Sequence, residues 1–297
     1  MTNPILCHVK DLGLMEYAQA FDLQKKIVLD VIKGDADTLL IGEHPAVFTL
    51  GRLATENNFL LCVEEIQSQG IKILRIDRGG EVTLHSSGQI VTYPIFNLRR
   101  FGTDLKSFLS KLEQVAIDLL QDFDIVARRI SGQRGVWVGQ EKIASIGIGV
   151  KKWVSFHGMA INVNTDLKLF SMIKPCGLDV RMTSVSKLLG CSIELNDIKK
   201  RLIKSYCSNF NLKLIEKRRC GMSKLILPEL GEGISKATVA FWHCQVGDQV
   251  QEGDDVVELV TDKATFNVPA PSSGVIKKVF FKEGQDAAIG EVLAVIE

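Results

Sequence analysis

The 297-residue sequence has neither an excess of charge of one sign nor a long hydrophobic run. Its 36 basic residues nearly balance 35 acidic ones, which excludes the overall electrostatic footprint of a nucleic-acid-binding or membrane-surface protein. No apolar run approaches the length of a membrane span, and Asp11 and Glu16 fall where a signal peptide would place its apolar region. We therefore expect a cytoplasmic protein that binds neither nucleic acid nor a membrane.

Metal-binding and disulfide patterns are also missing. The seven cysteines are an odd number without a CxxC pair, and the five histidines are scattered along the chain. Such spacing is typical of reduced thiols, and neither residue type has the spacing of metal ligands. The sequence therefore predicts no metal site and no disulfide framework.

What is present is a chain long enough for two domains, with 46% hydrophobic residues to form their cores. Residues 1–215 mix helical and strand patterns without regular β-α-β alternation, which indicates an α+β domain. Residues 216–222 form a short charged linker. Residues 223–297 contain short β-rich runs between glycines and no helical period, which indicates an all-β domain.

Apolar periodicity predicts three long helices in the first domain. They cover 16–33, ended by Gly34; 105–120, capped by Thr103 or Asp104; and 197–210, capped by Asn196. A shorter helix is expected within 183–189. Strands are predicted within 38–50, 71–76, 90–98, 135–138, 143–150 and 153–164, and Lys142 begins the return strand of a hairpin that turns at 139–141.

The second domain contains a weak internal repeat. The run 247–253 recurs as 284–290, and each copy leads into an apolar strand, which predicts a small pseudo-symmetric β-sandwich. Two alternating strands, within 257–260 and 265–268, are joined by a polar tip. Lys263 lies on that tip.

Two residues of the first domain have the chemistry of a nucleophile and its activator. Cys176 lies between Pro175 and Gly177, on a turn by composition, where a sulfur is less often packing material. A neighbouring ammonium would raise its thiolate fraction and make it an acyl acceptor, and Lys142 is the candidate. Taken singly, most such cysteines are small hydrophobes and most lysines are surface charges, so the pair needs independent support.

A glycine pair in the same domain indicates close approach to a ligand. Gly79 and Gly80 precede a β-rich segment and place Arg78 and His85 at either end of it. A Gly-Gly pair alone is weak evidence. His85 or His157 as a cysteine-protease partner of Cys176 is the less favoured interpretation, because no third orienting residue is evident.

Several motifs in 3–214 resemble the octanoyltransferases of lipoate synthesis, the lipoyl(octanoyl) transferase family. The matching runs are Glu43-His44-Pro45, Phe48-Thr49-Leu50-Gly51-Arg52, Arg78-Gly79-Gly80 with Thr83 and His85, Gly88-Gln89, Gly135-Val136-Trp137, Lys142-Ile143-Ala144-Ser145-Ile146-Gly147, His157-Gly158-Met159-Ala160-Ile161-Asn162 and Pro175-Cys176-Gly177. The resemblance implies the biotin/lipoate ligase-like α+β fold. It also implies transfer of octanoyl from octanoyl-acyl carrier protein to a lysine of a lipoyl domain. The family usually has proline where this chain has Ser87, a departure that bears on loop rigidity more than on chemistry.

The resemblance also implies residue roles. Cys176 would carry the acyl group as a thioester, and Lys142 would favour its thiolate and then take a proton from the attacking amine. No ATP and no metal would be required. The implied substrate-binding residues are Arg78, Gly79, Gly80, Glu81, Val82, Thr83, Leu84, His85, Ser145, Ile146, Gly147, Gly158, Met159 and Ala160.

The second domain resembles a lipoyl domain of a 2-oxo acid dehydrogenase acyltransferase, a barrel-sandwich hybrid. Its Asp262-Lys263-Ala264 turn carries the resemblance, and a biotin carrier would be expected to place methionines around its lysine. Lys263 is thus the expected site of covalent octanoyl or lipoyl attachment. The chain resembles an enzyme fused to its own substrate, with acylation of lipoyl domains in cis and in trans both open.

Three alternatives to an octanoyltransferase remain. An ATP-dependent lipoate ligase of the same fold would not need Cys176. An amidotransferase that moves octanoyl or lipoyl between lipoyl proteins would use a cysteine and a lysine with a different donor. A non-catalytic carrier would acquire octanoyl only from another transferase.

Overall fold

The computed structural model describes residues 3–55, 58–174, 180–215, 223–229, 235–261 and 264–297. The chain divides into two compact units, Met1–Ile215 and Glu216–Glu297. Cys176, Lys263 and the predicted linker 216–222 lie outside the described residues.

The first unit is built on a mixed eight-stranded sheet and a small three-stranded sheet. Its strands are β1 (Ile5–Leu14), β2 (Asp37–Glu43), β3 (Val47–Leu50), β4 (Lys72–Arg75), β5 (Val82–His85), β6 (Gln89–Ile95), β7 (Arg128–Ile130), β8 (Gln133–Val138), β9 (Glu141–Lys151), β10 (Val154–Asn162) and β11 (Leu212–Leu214). The large sheet has the order β11-β1-β2-β6-β10-β9-β8-β7, and the small one β4-β3-β5. β1 pairs in parallel with β2 and β11, while the other pairings of the large sheet are antiparallel.

The helices of the first unit are α1 (Tyr17–Lys33), α2 (Val63–Ser68), α3 (Leu105–Gln121), α4 (Val185–Leu189) and α5 (Leu195–Phe210), with 3₁₀ turns at Leu98–Phe101 and Leu167–Met172. The predicted end of α1 at Gly34 is confirmed, because this glycine adopts the left-handed cap conformation. Asp104 caps α3 by accepting hydrogen bonds from two backbone N–H groups. Within the described ranges, no helix is both long and apolar enough to cross a membrane.

The predicted start of the last helix was wrong by two residues. α5 begins at Leu195, and Glu194 rather than Asn196 is its N-cap, without a side-chain capping hydrogen bond. Leu195 packs against the core below the helix. Burial of this apolar residue therefore extends the helix beyond the position that capping preference indicated.

Helices cover both faces of the large sheet. Side chains alternate along its strands, so neighbouring residues of one strand pack on different faces. On β2, Leu39 and Ile41 contribute to the core beneath α3 and α5, whereas Leu40 contributes to the core beneath α1. The small sheet has its own core around Phe48 and α2. Helices and strands are layered as the predicted α+β fold class requires, and that prediction is confirmed.

The small sheet is joined to the large one by the segment between β4 and β5. The Gly79 N–H in this segment donates to the Ile148 carbonyl of β9 at 3.0 Å. This bond fixes the glycine pair beside the middle of the large sheet.

The second unit consists of two four-stranded sheets around one apolar core. Its strands are β12 (Ser223–Ile226), β13 (Lys236–Trp242), β14 (Gln249–Val250), β15 (Asp255–Val260), β16 (Thr265–Pro269), β17 (Gly274–Val279), β18 (Asp286–Ala288) and β19 (Val292–Ile296). The sheet orders are β12-β19-β17-β14 and β16-β15-β13-β18. The predicted all-β sandwich is confirmed.

The internal repeat of the second unit is visible in matching hydrogen bonds. The Gln245 N–H donates to the Asp248 carboxylate at 2.8 Å, and 37 residues later the Lys282 N–H donates to the Gln285 side-chain oxygen at 2.7 Å. The two turns therefore use the same side-chain cap at equivalent positions, as expected for two similar halves.

The predicted polar tip falls between β15 and β16. Val260 is opposite Thr265 in the antiparallel register, and the Thr261 N–H donates to the Ala264 carbonyl at 2.8 Å. The hairpin on either side of the tip is therefore closed by its own hydrogen bonds.

Candidate functional site

Lys142 occupies the position that the hairpin pattern predicted, at the beginning of β9. Its side chain is only 2% exposed, and Nζ lies 5.4 Å from the centroid of the Trp137 ring. Trp137 is opposite Lys142 and Val136 is opposite Ala144, so Ile143 is the extra residue of a β-bulge. Bulges redirect side chains and are frequent next to active sites. The sequence thus supplies both the hairpin and the local irregularity that place a lysine inside the protein.

The backbone of Lys142 is fixed by the chain that follows the predicted nucleophile. The Lys142 N–H donates to the Arg181 carbonyl, and the Thr183 N–H donates to the Lys142 carbonyl, both at 2.9 Å. On the other side of Cys176, the Lys174 N–H donates to the Asn58 carbonyl at 2.8 Å. The described residues on both sides of 175–179 are therefore anchored by main-chain hydrogen bonds.

A pocket lies between the small sheet, β9 and β10, with about 470 Å³ of empty space including its solvent-open mouth. Twelve of the fourteen predicted substrate-binding residues line it: Arg78, Gly79, Gly80, Glu81, Thr83, His85, Ser145, Ile146, Gly147, Gly158, Met159 and Ala160. Three segments that are distant in sequence thus form one pocket. Its floor is formed where Ser145 and Gly147 pair with Ala160 and Gly158 across β9 and β10.

Val82 and Leu84 are the two predicted binding residues that do not line the pocket. They alternate with Thr83 and His85 along β5, so their side chains face the opposite side of the strand. Both are buried in the core of the small sheet with Phe48. Their side chains pack in the core that supports β5 and do not line the pocket.

Glycine is required where the strands approach most closely. A Cβ at Gly158 would collide with the Thr92 carbonyl of β6, and a Cβ at Gly147 would lie 3.0 Å from the Gly79 carbonyl. Side chains at these two positions would also fill the floor of the pocket. The two glycines therefore keep an opening along the sheet.

Arg78 forms one end of the pocket and is itself buried. Its guanidinium donates to the Thr49 carbonyl at 2.6 Å and to the Gly79 carbonyl at 3.0 Å. Such bonds hold the planar guanidinium in one orientation. The charged guanidinium is therefore held at this end of the pocket.

Four residues outside the predicted binding set also line the pocket. Tyr17 comes from α1, Val91 and Tyr93 come from β6, and His157, which the sequence motifs contain, comes from β10. Tyr17 was assigned only to an apolar helix face and Tyr93 only to a strand. The signal in the sequence is a tyrosine, an aromatic ring with a polar hydroxyl, at a position predicted to face the core.

His157 is held in a conformation that is unusual for a residue with a side chain. It adopts φ 56° within β10, and its N–H donates to the Gln24 side chain at 2.8 Å. Nε2 lies 2.9 Å from an Asp77 carboxylate oxygen. Burial lowers the pKa of His157 to about 4 even though Asp77 favours the charged form. The imidazole is therefore neutral at neutral pH and donates Nε2–H to Asp77.

His44 links the main chain of Met15 to the side chain of Tyr93. Nδ1 is 2.6 Å from the Met15 carbonyl, and Nε2 is 2.6 Å from the Tyr93 hydroxyl. Desolvation lowers the pKa of His44, so it is neutral. Both ring nitrogens of His44 are thus used in hydrogen bonds between separate elements of the first unit.

A hydrogen-bonded series connects the pocket with the Lys142 region. His85 Nδ1 is 2.8 Å from the Gln89 side-chain oxygen, and Gln89 donates to the Asn162 side-chain oxygen at 2.9 Å. Asn162 in turn donates to the Thr183 carbonyl at 3.0 Å. The Thr183 N–H donates to the Lys142 carbonyl, so this series links the His85 side chain to the main chain of Lys142.

The described part of the chain also contains other side chains that could bind a metal or react as thiols. There, no three His, Cys, Asp or Glu side chains are grouped as a metal site would require. Five cysteines within the same ranges are free thiols, and of these Cys62 and Cys191 are exposed.

The sequence matches two known families. Residues 16–207 match the lipoyl protein ligase A/B catalytic domain, and residues 223–296 match the family described as biotin-requiring enzyme. An octanoyltransferase of Pelobacter propionicus is 43% identical over 196 residues, which are 65% of this chain and 90% of that protein. An octanoyltransferase of Caldicellulosiruptor saccharolyticus is 46% identical over 206 residues, 68% of this chain and 88% of that protein.

A solved structure supports the same fold. A bi-partite lipoate protein ligase from Thermoplasma acidophilum superposes with a TM-score of 0.56 at 15% identity, covering 73% of this chain and 87% of that one. This likeness concerns the fold alone. With the relatives above, it defines an acyltransferase unit of the lipoate-ligase fold followed by a lipoyl-type β unit. The chain belongs to the lipoyl protein ligase A/B catalytic domain family, and the resemblance stated from its motifs is confirmed.

Proposed function

We propose that this enzyme transfers octanoyl from octanoyl-acyl carrier protein to the target lysine of lipoyl domains through a thioester on Cys176. The observation that carries the proposal is the burial of Lys142 on β9, three residues before the pocket-lining Ser145, with its main chain paired to Arg181 and Thr183. Arg181 is only five residues from Cys176, so a fully extended chain keeps the two Cα atoms within about 17 Å. The octanoyltransferase activity of the relatives supports the same reaction.

The first step would exchange one thioester for another. The Cys176 thiolate attacks the octanoyl carbonyl, a new C–S bond forms, the old C–S bond breaks, and the carrier thiolate leaves with the proton that the Lys142 ammonium gives up. Lys142 as an ammonium favours the Cys176 thiolate because opposite charges stabilise each other strongly in a buried setting. A thioester donor already contains an activated acyl group, so this step needs no ATP.

We place the octanoyl chain in the pocket. The glycine positions of β9 and β10 leave its floor open, and Ile146 and Met159 provide apolar lining. We assign the twelve lining residues of the predicted set to substrate binding. Val82 and Leu84 would act through the packing of β5.

The second step would form the product amide. A lysine amine attacks the octanoyl-Cys176 carbonyl, the C–N bond forms, and the C–S bond breaks. Lys142, neutral after the first step, takes the proton that the attacking amine loses and so faces the leaving Cys176 thiolate as an ammonium again. Lys263 is the proposed acceptor in this chain, because it lies in sequence between β15 and β16 of a lipoyl-type unit. Separate lipoyl domains of 2-oxo acid dehydrogenase complexes are equivalent acceptors. After separate sulfur insertion, Lys263 would carry a lipoyl group.

Incubation of the full chain with octanoyl-acyl carrier protein, without ATP, tests this function. We expect octanoyl on the peptide that contains Lys263, and none on that peptide in a Lys263→Arg variant. A requirement for ATP would instead indicate a lipoate ligase. Preference for an octanoylated lipoyl domain as donor would indicate an amidotransferase. Transfer within one chain would proceed at a rate independent of enzyme concentration, whereas transfer between chains would not.

A further inference from the structure

A solvent-open groove lies next to the pocket in the first unit. Its charged lining consists of Lys25 from α1, Arg75 from β4, and Arg52 and Asp77, which follow β3 and β4, and we call it the basic groove. Three of these four side chains are cationic. Because the whole chain has nearly equal numbers of basic and acidic residues, a local cluster of this kind indicates a specific anionic ligand.

The basic groove and the pocket share one wall. Asp77 lines the groove, and the next residue, Arg78, lines the pocket. Phe21, which also lines the groove, stacks on His157 of the pocket with ring centroids 5.1 Å apart. The Arg52 N–H donates to the Arg78 carbonyl at 3.0 Å. A single layer of residues therefore separates the two sites.

The two arginines of the basic groove have guanidinium groups available to a ligand. Arg52 and Arg75 are exposed, and neither side chain has a hydrogen-bond or ion-pair partner among the residues that the structure describes. By contrast, Lys25 pairs with Asp22 at 2.7 Å, and the Asp77 carboxylate already accepts a hydrogen bond from the pocket wall. A guanidinium presents five N–H donors in a planar fork, which matches the oxygens of a phosphate group. A phosphate is thus the anion that best suits this pair.

The donor of the proposed function carries such a phosphate. An acyl carrier protein presents its acyl group as a thioester at the end of a phosphopantetheine arm, and a phosphodiester joins that arm to the protein. The arm spans about 15 Å from sulfur to phosphorus when extended, as a peptide chain with the same number of bonds would. With the octanoyl group in the pocket, the phosphodiester lies outside it and within reach of a neighbouring groove.

Building on the proposed function, we propose that Arg52 and Arg75 bind the phosphodiester of the donor's arm while the octanoyl group occupies the pocket. The basic groove is then a subsite for the donor, and the acceptor lysine does not use it. The interaction selects acyl groups carried on a phosphopantetheine arm over other thioesters. Carboxylates on the surface of the carrier protein are the competing anions, and the choice of donors separates them from the phosphate.

Three donors test this subsite. Octanoyl-pantetheine has no phosphate, octanoyl-phosphopantetheine has a phosphate without a protein, and octanoyl-acyl carrier protein has both. The acceptor is a separate lipoyl domain, and the enzyme carries Lys263→Arg so that its own second unit is not acylated. Initial rates then give kcat and KM for each donor.

The variants remove one charge at a time from the basic groove. Arg52→Gln, Arg75→Gln and the double variant are compared with the parent, since glutamine retains part of the stem and removes the guanidinium. Arg99→Gln is the matched control. Arg99 is exposed in the 3₁₀ turn Leu98–Phe101 and lines neither the pocket nor the basic groove.

We expect each single variant to raise KM about 10-fold for both phosphate-containing donors, and the double variant to raise it further. The phosphate is remote from the reacting carbonyl and is bound equally before and during the reaction, so kcat should stay within about 2-fold. For octanoyl-pantetheine, KM should change by less than about 2-fold. Arg99→Gln should match the parent with every donor.

The salt dependence of KM gives a second readout that a structural role would not change. Screening weakens attraction between exposed charges, so KM for octanoyl-phosphopantetheine should rise with salt in the parent. The rise should be smaller in the double variant. For octanoyl-pantetheine, KM should respond to salt equally in both proteins.

Four outcomes would overturn the assignment. A loss confined to octanoyl-acyl carrier protein would assign the arginines to carboxylates of the carrier, and an equal loss with octanoyl-pantetheine would show a distorted pocket. Unchanged KM for all three donors, or the same loss in Arg99→Gln, would show that the basic groove binds no phosphate. Failure of the parent to octanoylate the lipoyl domain from any donor would contradict the proposed function itself and is therefore distinguishable.

Discussion

Gly135 leaves the space through which the Lys142 side chain passes. A Cβ at Gly135 would lie 2.6 Å from Lys142 Cε and 2.5 Å from the Ala144 carbonyl, and the residue has φ +120°. The buried position of the ammonium therefore depends on a glycine seven residues earlier, on the neighbouring strand. The Gly135-Val136-Trp137 run provides both this gap and the ring beside which Nζ lies.

The Gly135→Ala substitution should displace Lys142 and slow the acylation of Cys176. Because a misplacement of about 1 Å in an active site costs about 100-fold in rate, we expect at least that loss in single-turnover acylation. Gly139→Ala is the matched control. Gly139 also has a positive φ, +59°, but a Cβ at this position would meet no other residue within 4 Å.

The control should lose stability by about 1–2 kcal/mol through backbone strain and retain its acylation rate. Melting temperatures of both variants show whether strain alone accounts for any loss. Equal acylation rates in the two variants would contradict the positioning role of Gly135.

Ser87 occupies a turn position that suits proline. The Gln89 N–H donates to the Ser86 carbonyl at 3.1 Å, and Gly88 has φ +80°, as in a type II turn. Ser87→Pro should therefore stabilise the first unit by about 0.4–1 kcal/mol, since it reduces the freedom of the unfolded chain.

Denaturant unfolding of Ser87→Pro, with Ser87→Ala to account for the lost hydroxyl, measures this effect. Activity should not change, because Ser87 is exposed and does not line the pocket. Destabilisation by proline would show that the turn has a different conformation.

His157 should make the first unit less stable in acid. Its folded pKa of about 4 lies below the unfolded value of 6.5, so the unfolded state binds more protons between these pH values. The His157 contribution to the free energy of unfolding should thus be fully present above pH 6.5. It should decrease by about 3 kcal/mol as the pH falls to 4. Burial raises the pKa of Asp37 from 3.8 to about 6. This carboxyl should therefore increase the stability of the first unit as the pH falls from 6 to 3.8.

Comparison of the parent with His157→Phe isolates the histidine, because the Asp37 contribution cancels in the difference. Stability is measured by denaturant unfolding at several pH values. The difference between parent and variant should shrink on acidification. A difference independent of pH would mean that His157 is not neutral in the folded protein.

Much of the fold was predictable because its signals are local. Gly34 ends α1, Asp104 caps α3, and the 37-residue repeat of the second unit follows from turn residues that recur in sequence. The start of α5 was missed because burial of Leu195 outweighed the capping preference of Asn196.

The pocket was less predictable because its wall comes from residues that meet only in the folded chain. The motif residues on β5, β9 and β10 were identified by resemblance, but Tyr17 reaches the pocket from α1 and Tyr93 from β6. Strand alternation, applied to the predicted set, would have separated Val82 and Leu84 from their pocket-lining neighbours.

The most direct test of the account asks where octanoyl is attached before it reaches a lysine. In a Lys263→Arg background, without ATP, the chain is incubated with octanoyl-acyl carrier protein and its intact mass is measured before and after hydroxylamine treatment. We predict one hydroxylamine-sensitive octanoyl group, retained when the exposed Cys191 is replaced by serine and absent in Cys176→Ser. Persistence of the thioester in Cys176→Ser, or its absence from the parent, would contradict the central claim.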